Sequence, residues 1–193
     1  MPSKACCVTI DAGRPGPTRL FIALWPGEGV RRAVHAASRA AVDASGGRAV
    51  PRANYHLTLV FLGDQPCAHL PRIQRAMAAV EPPAGLLRLD RFGTFGKARV
   101  LWLGPEHTPP ALTRCVRELR RTLRSEGVEW RRGAERFRAH VTLARRIHCE
   151  PSVDMPSPVP WHYGGFSLVM SERAQSRYRV LENRPCPSLG GMK

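Results

Sequence analysis

A chain of 193 residues has room for one compact domain or two small lobes sharing a core, and its 43% apolar content is ordinary for a globular protein. Lysine and arginine number 30 against 15 acidic residues, and nearly all of the formal +15 is arginine, whose planar fork suits phosphate and bases. A GC-biased genome also enriches arginine, so the charge supports an RNA or nucleotide partner without establishing one.

No apolar run reaches the ~18 residues of a membrane span. Cysteines at 6, 7, 67, 115, 149 and 186 form no C-x-x-C pair and have no zinc-like histidine spacing. They read as reduced thiols of a cytoplasmic protein without a metal site. Residues 1–17, with Gly13, Pro15, Gly16 and Pro17, lack a hydrophobic stretch followed by a cleavage site and read as a flexible leader.

Arg19–Leu24 is a short apolar run stopped by Trp25-Pro26-Gly27, as expected of a buried strand. Glu28 to Ala44 carries Val30, Val34, Ala37, Ala41 and Val42 at helical spacing and closes at Ser45-Gly46-Gly47. A strand from Tyr55 to Leu62 and a helix from about Ala68 to Val80 follow. Strands Leu86–Phe92 and Arg99–Leu103 lie around turns at Gly93 and Gly96. Pro110 to Ser125 predicts an amphipathic helix, with Leu112, Val116, Leu119 and Leu123 on one stripe and five arginines around it. The role of those arginines stays open. A strand over Phe137–Arg145, a proline-rich connection and a closing pair, Phe166–Met170 and Tyr178–Leu181, complete the order; residues 185–193 read as a disordered tail.

The expected fold is α+β, with two pseudo-symmetric lobes, each an antiparallel sheet with helices outside, and a cleft between them. It would occupy residues 18–184 as one bilobal domain.

One phrase occurs twice: His56-Leu57-Thr58-Leu59 and His140-Val141-Thr142-Leu143. Histidine and threonine alternate with branched apolar residues, the period-2 pattern of a half-buried strand, so both polar groups of each copy point the same way. Two such strands facing one another bring two imidazoles and two hydroxyls to one cleft, the equipment for acid-base phosphoryl transfer. A lone histidine in a strand is usually structural. Recurrence of the whole four-residue pattern is what raises this pair above His35, His69, His107, His148 and His162, which lack that setting.

The stretches His56–Gly63 and Arg136–Arg145 resemble the paired motifs of the two-histidine phosphoesterases, and more narrowly of the RNA 2′,3′-cyclic phosphodiesterases, also called 2′-5′ RNA ligases. Arg19–Leu24, Val100–Gly104, Leu168–Glu172 and Tyr178–Leu181 agree in order, so the resemblance runs roughly from Arg19 to Glu182. Ala139 departs from it, standing where the family usually has proline, and the usual closing tryptophan phrase is missing.

The resemblance implies hydrolysis of an RNA-terminal 2′,3′-cyclic phosphate to a 2′-phosphate, with reversible 2′-5′ ligation as a companion reaction and no metal or cofactor. On that reaction we assign His56 as general acid and His140 as the base that activates water, a direction that sequence does not fix. Thr58 and Thr142 bind the phosphate oxygens, and Arg145 the phosphate or terminal base, with Arg146 as its substitute. Phe21 either offers a base a stacking face or is a core aromatic. Arg136 and Arg138 either steer the RNA or are solvated. The expected partner is RNA with a cyclic-phosphate end or a related nucleotide, bound by a monomer. Two alternatives stand beside this reading: a phosphoesterase for a small cyclic nucleotide or 2′-5′ oligonucleotide, and a non-catalytic RNA-binding module.

Overall fold

A computed structural model of the chain describes residues 17–130, 136–172 and 177–187. Most of the expected leader and the last six residues of the expected tail lie outside the described residues. The amphipathic stretches form helices with the bounds their periodicity sets: α1 is Glu28–Ala44 and α3 is Pro110–Ser125. Helix α3 buries Leu112, Val116, Leu119 and Leu123 and leaves Arg114, Arg117, Arg121 and Arg124 exposed. The shorter α2, Leu70–Ala78, packs against α3.

Among the described residues, nine strands form one antiparallel sheet: β1 Thr18–Leu24, β2 Arg48–Ala49, β3 Leu57–Gln65, β4 Ala84–Leu89, β5 Arg91–Phe95, β6 Val100–Gly104, β7 Val141–Arg145, β8 Val159–Glu172 and β9 Arg177–Pro185. The path across it is β4-β8-β1-β3-β7-β6-β5, with β9 on β8 and β2 on β7. The fold is thus α+β around a large antiparallel sheet, as expected. The lobes are not the two halves of the sequence, however. One holds β1, β3, β4, β8 and β9 from both ends of the described chain; the other holds β2, β5, β6 and β7. They meet where β3 and β7 share a single residue pair, Leu57 opposite Val141.

The expected strand Leu86–Phe92 is in fact two. Leu89 closes β4 against β8, and Arg91 opens β5 against β6, so the chain changes lobes at Asp90. Strand β8 begins seven residues before the expected Phe166. Its first part pairs only with β4, and an edge tolerates the N–H that Pro160 lacks. Alternation there buries Val159, Trp161 and Tyr163. Gly93, expected in a turn, sits inside β5 opposite Trp102.

A side chain at Gly93 would overlap the Trp102 ring, which is 1% exposed. Gly93→Ala is therefore expected to destabilise the fold by about 1–3 kcal/mol, roughly 3–10 °C in Tm. A thermal melt identical to that of the parent protein would show that the ring has room to move.

Leu57, Leu59, Leu62, Val141 and Leu143 join the main core, on which the helices lie. A second, smaller cluster of Phe21, Ala23 and Val169, with Trp25 and Tyr178 packed against it, is separate from that core. Of the four described cysteines, all unpaired, Cys115 and Cys186 are buried, and burial pushes the Cys115 thiol up to about 12. No helix among the described residues is long and apolar enough to cross a membrane.

Candidate active site

His56 and His140 each stand immediately before a strand, and the Leu57–Val141 pair between those strands sets their relation. Leu57 and Val141 point into the core, so their neighbours His56, Thr58, His140 and Thr142 flank the pair on the opposite face. All four are half-buried. The rings are close enough that the charge of His140 lowers the proton affinity of His56.

Each histidine is held in the same way. His56 Nδ1 lies 2.7 Å from the Asn54 carbonyl and His140 Nδ1 lies 2.8 Å from that of Arg138, in both cases two residues back along the chain. A carbonyl oxygen only accepts, so each Nδ1 carries the proton and each Nε2 remains for chemistry.

Both imidazoles hold protons weakly. Burial is the main cause for His56, whose pKa falls from the ordinary 6.5 to about 4; the Asn54 hydrogen bond opposes this, and the charges of Arg145 and His140 add to it. His140 is lowered too, first by burial and then by the guanidinium groups of Arg138 and Arg145, against the Arg138 carbonyl bond. An anion between the rings would reverse the sign of that field and raise both.

Arg145 is exposed and acts on both imidazoles. Five residues after His140, strict alternation would turn it to the other face. A register shift prevents this. Trp102 pairs with Thr142 and Leu101 with Ala144, which leaves Leu143 as a bulge and returns Arg145, opposite Val100, to the histidine face. The first motif is bulged at the corresponding residue, Leu59, between Thr58 opposite Ala23 and Val60 opposite Ile22. Arg146 takes a left-handed backbone, φ 57°, and its carbonyl accepts from Arg99. Arg136 is exposed, and the Arg138 guanidinium lies over the Trp102 ring at 4.6 Å.

Aromatic rings wall both histidines. Trp25 stacks on His56 at 5.6 Å, Tyr178 meets its edge at 5.1 Å and Phe21 lies at 4.8 Å. Phe95 and Trp102 approach His140 at 4.9 and 6.3 Å. Phe21 is 4% exposed, so it buttresses the imidazole and has no free face for a base. Sequence reasoning missed Trp25, Tyr178, Phe95 and Trp102. The signal for Trp25 was present, because it continues the alternation Phe21, Ala23, Trp25 beyond the end of β1.

Ala139, the departure from the family pattern, is buried and its N–H donates to Thr108 Oγ1 at 3.1 Å. Proline has no such donor, so here a hydrogen bond anchors the approach to His140. Among the described residues, no three His, Cys, Asp or Glu side chains gather as a metal site.

The family model described as LigT-like phosphoesterase matches residues 25–102. The RNA 2′,3′-cyclic phosphodiesterase of Escherichia coli is 31% identical over 168 residues, covering 84% of this chain and 92% of that one. Its counterpart of the same name in Thermus thermophilus is 33% identical over 177 residues, covering 85% and 88%. Among solved structures, E. coli LigT complexed with 3′-AMP superposes with a TM-score of 0.76 at 27% identity, covering 89% of this chain and 99% of that one.

Proposed function

Starting from the fact that the chain belongs to the LigT-like phosphoesterase family, we propose that it is, like the relatives so named, an RNA 2′,3′-cyclic phosphodiesterase, and that it hydrolyses RNA-terminal 2′,3′-cyclic phosphates to 2′-phosphates. The observation that carries this reading is the matched pair of Nδ1–carbonyl hydrogen bonds, which leaves two Nε2 atoms for one phosphate.

In this mechanism the hydroxyls of Thr58 and Thr142 and the Arg145 guanidinium hold the non-bridging phosphate oxygens, stabilising the charge that develops there. His140 Nε2 takes a proton from water as the water oxygen attacks phosphorus in line with the ribose 3′-oxygen. The bond from phosphorus to that oxygen breaks, and His56 Nε2–H delivers the proton it needs. The bound phosphate raises the pKa of His56 from about 4, and so allows it to carry that proton. With the 5′-hydroxyl of a second RNA end in place of water, the same steps in the same direction leave a 2′-5′ linkage, and their reversal, in which the histidines exchange roles, returns the cyclic phosphate and frees the 5′-hydroxyl. The activity is assigned to a single bilobal unit of about residues 18–184, working as a monomer in the cytoplasm.

Purified protein in EDTA is expected to open uridine 2′,3′-cyclic phosphate to the 2′-phosphate, separated chromatographically from the 3′ isomer. Formation of the 3′-phosphate, or a strict need for a divalent cation, would overturn the reading.

A further inference from the structure

Strand β2 is only two residues long, and it places Arg48 directly opposite Arg145 on β7. Directly paired residues of an antiparallel ladder carry their side chains on the same face, with Cβ atoms about 5 Å apart, and like charges there repel. Both arginines are exposed. Among the described residues, neither has an ion pair or a side-chain hydrogen bond to relieve the repulsion. The arginines that can find carboxylates nearby do so: Arg52 and Arg31 both meet Glu28. Arg145 faces both histidines, so Arg48 shares that face, on the flank of β7 that β3 also borders.

An unrelieved pair of guanidinium groups side by side fits a ligand carrying more than one anionic group. We propose that Arg48 forms a second phosphate subsite, which holds the internal phosphodiester on the 5′ side of the terminal nucleotide while Arg145 holds the reacting phosphate. The proposal rests on the cyclic-phosphodiesterase reading and extends it. The site selects an RNA chain end over a free cyclic mononucleotide, because only the chain supplies the second anion. The forked donor set of arginine matches the two non-bridging oxygens of such a linkage.

The test compares three compounds: uridine 2′,3′-cyclic phosphate, the dinucleotide UpU ending in the same cyclic phosphate, and that dinucleotide with an uncharged methylphosphonate linkage. For wild type, kcat/KM is expected to favour the charged dinucleotide over the mononucleotide by about tenfold at low salt, the value of one charge-assisted contact. Arg48→Gln and the methylphosphonate are each expected to reduce the ratio to near one. Arg39→Gln, an exposed change on α1 that removes the same charge, is expected to keep it. An equal ratio in wild type and Arg48→Gln, or full preference for the methylphosphonate, would overturn the proposal.

The dissociation constants of the corresponding 2′-phosphate products, measured by calorimetry, give the same comparison without turnover. If wild type opened no cyclic phosphate, the functional reading would fall, and the product affinities would still decide the subsite.

Discussion

Replacing either histidine by glutamine is expected to slow opening of a 2′,3′-cyclic phosphate by about 10²- to 10⁴-fold, with the double replacement losing little more than the worse single one. Glutamine keeps bulk against Phe21, Trp25 and Tyr178 around His56 and against Phe95 and Trp102 around His140. The loss would therefore report missing proton transfer more than a collapsed wall, and an unshifted melting temperature would confirm it. A substrate with sulfur in place of the bridging 3′-oxygen separates the two roles, because a thiolate departs without a proton. It is expected to restore the rate of His56→Gln and not of His140→Gln. The opposite pattern would exchange acid and base, and rescue of neither would remove leaving-group protonation from the mechanism.

Arg145→Gln is expected to lower kcat/KM by roughly 10- to 100-fold, from the loss of a charge-assisted phosphate contact worth about 1.5–3 kcal/mol. It should also move the pH profile. The dependence of kcat/KM on pH reports the free enzyme, in which one imidazole must be protonated and the other neutral. Because burial and the arginines depress both groups, the alkaline limb, where the acid loses its proton, lies below 6.5. Removing the Arg145 charge raises both pKa values, so the profile should shift towards higher pH. NMR titration of the two imidazoles gives the same sign directly. A profile that stays in place would separate Arg145 from the field at the histidines.

Much of this was legible in the sequence, for identifiable reasons. Helices α1 and α3 follow from apolar spacing alone, since Val34 and Ala41, or Leu112, Val116, Leu119 and Leu123, have one stripe to bury. The histidine and threonine positions follow from alternation within a repeated phrase. What stayed hidden depends on partners far along the chain. No local rule shows that Leu59 and Leu143 are bulged, and without the second bulge the spacing turns Arg145 away from the cleft. Gly93 looks like a turn until Trp102 lies across it. Two-residue β2 is too short for any periodicity, yet it is what sets Arg48 beside Arg145. Tyr178 reaches His56 only because β8 and β9 return to the edge of β1.

The single Leu57–Val141 pairing has an energetic corollary. A seam of one residue pair leaves the two halves of the sheet to be joined chiefly by what lies beneath it: one continuous core takes Leu20, Ile22 and Leu168 from one half and Leu101, Leu103 and Leu143 from the other, and α1 packs on β7 and β8 alike. His56 and His140 stand one residue from that seam on either strand, so the spacing of the two imidazoles rests on apolar packing more than on ladder hydrogen bonds.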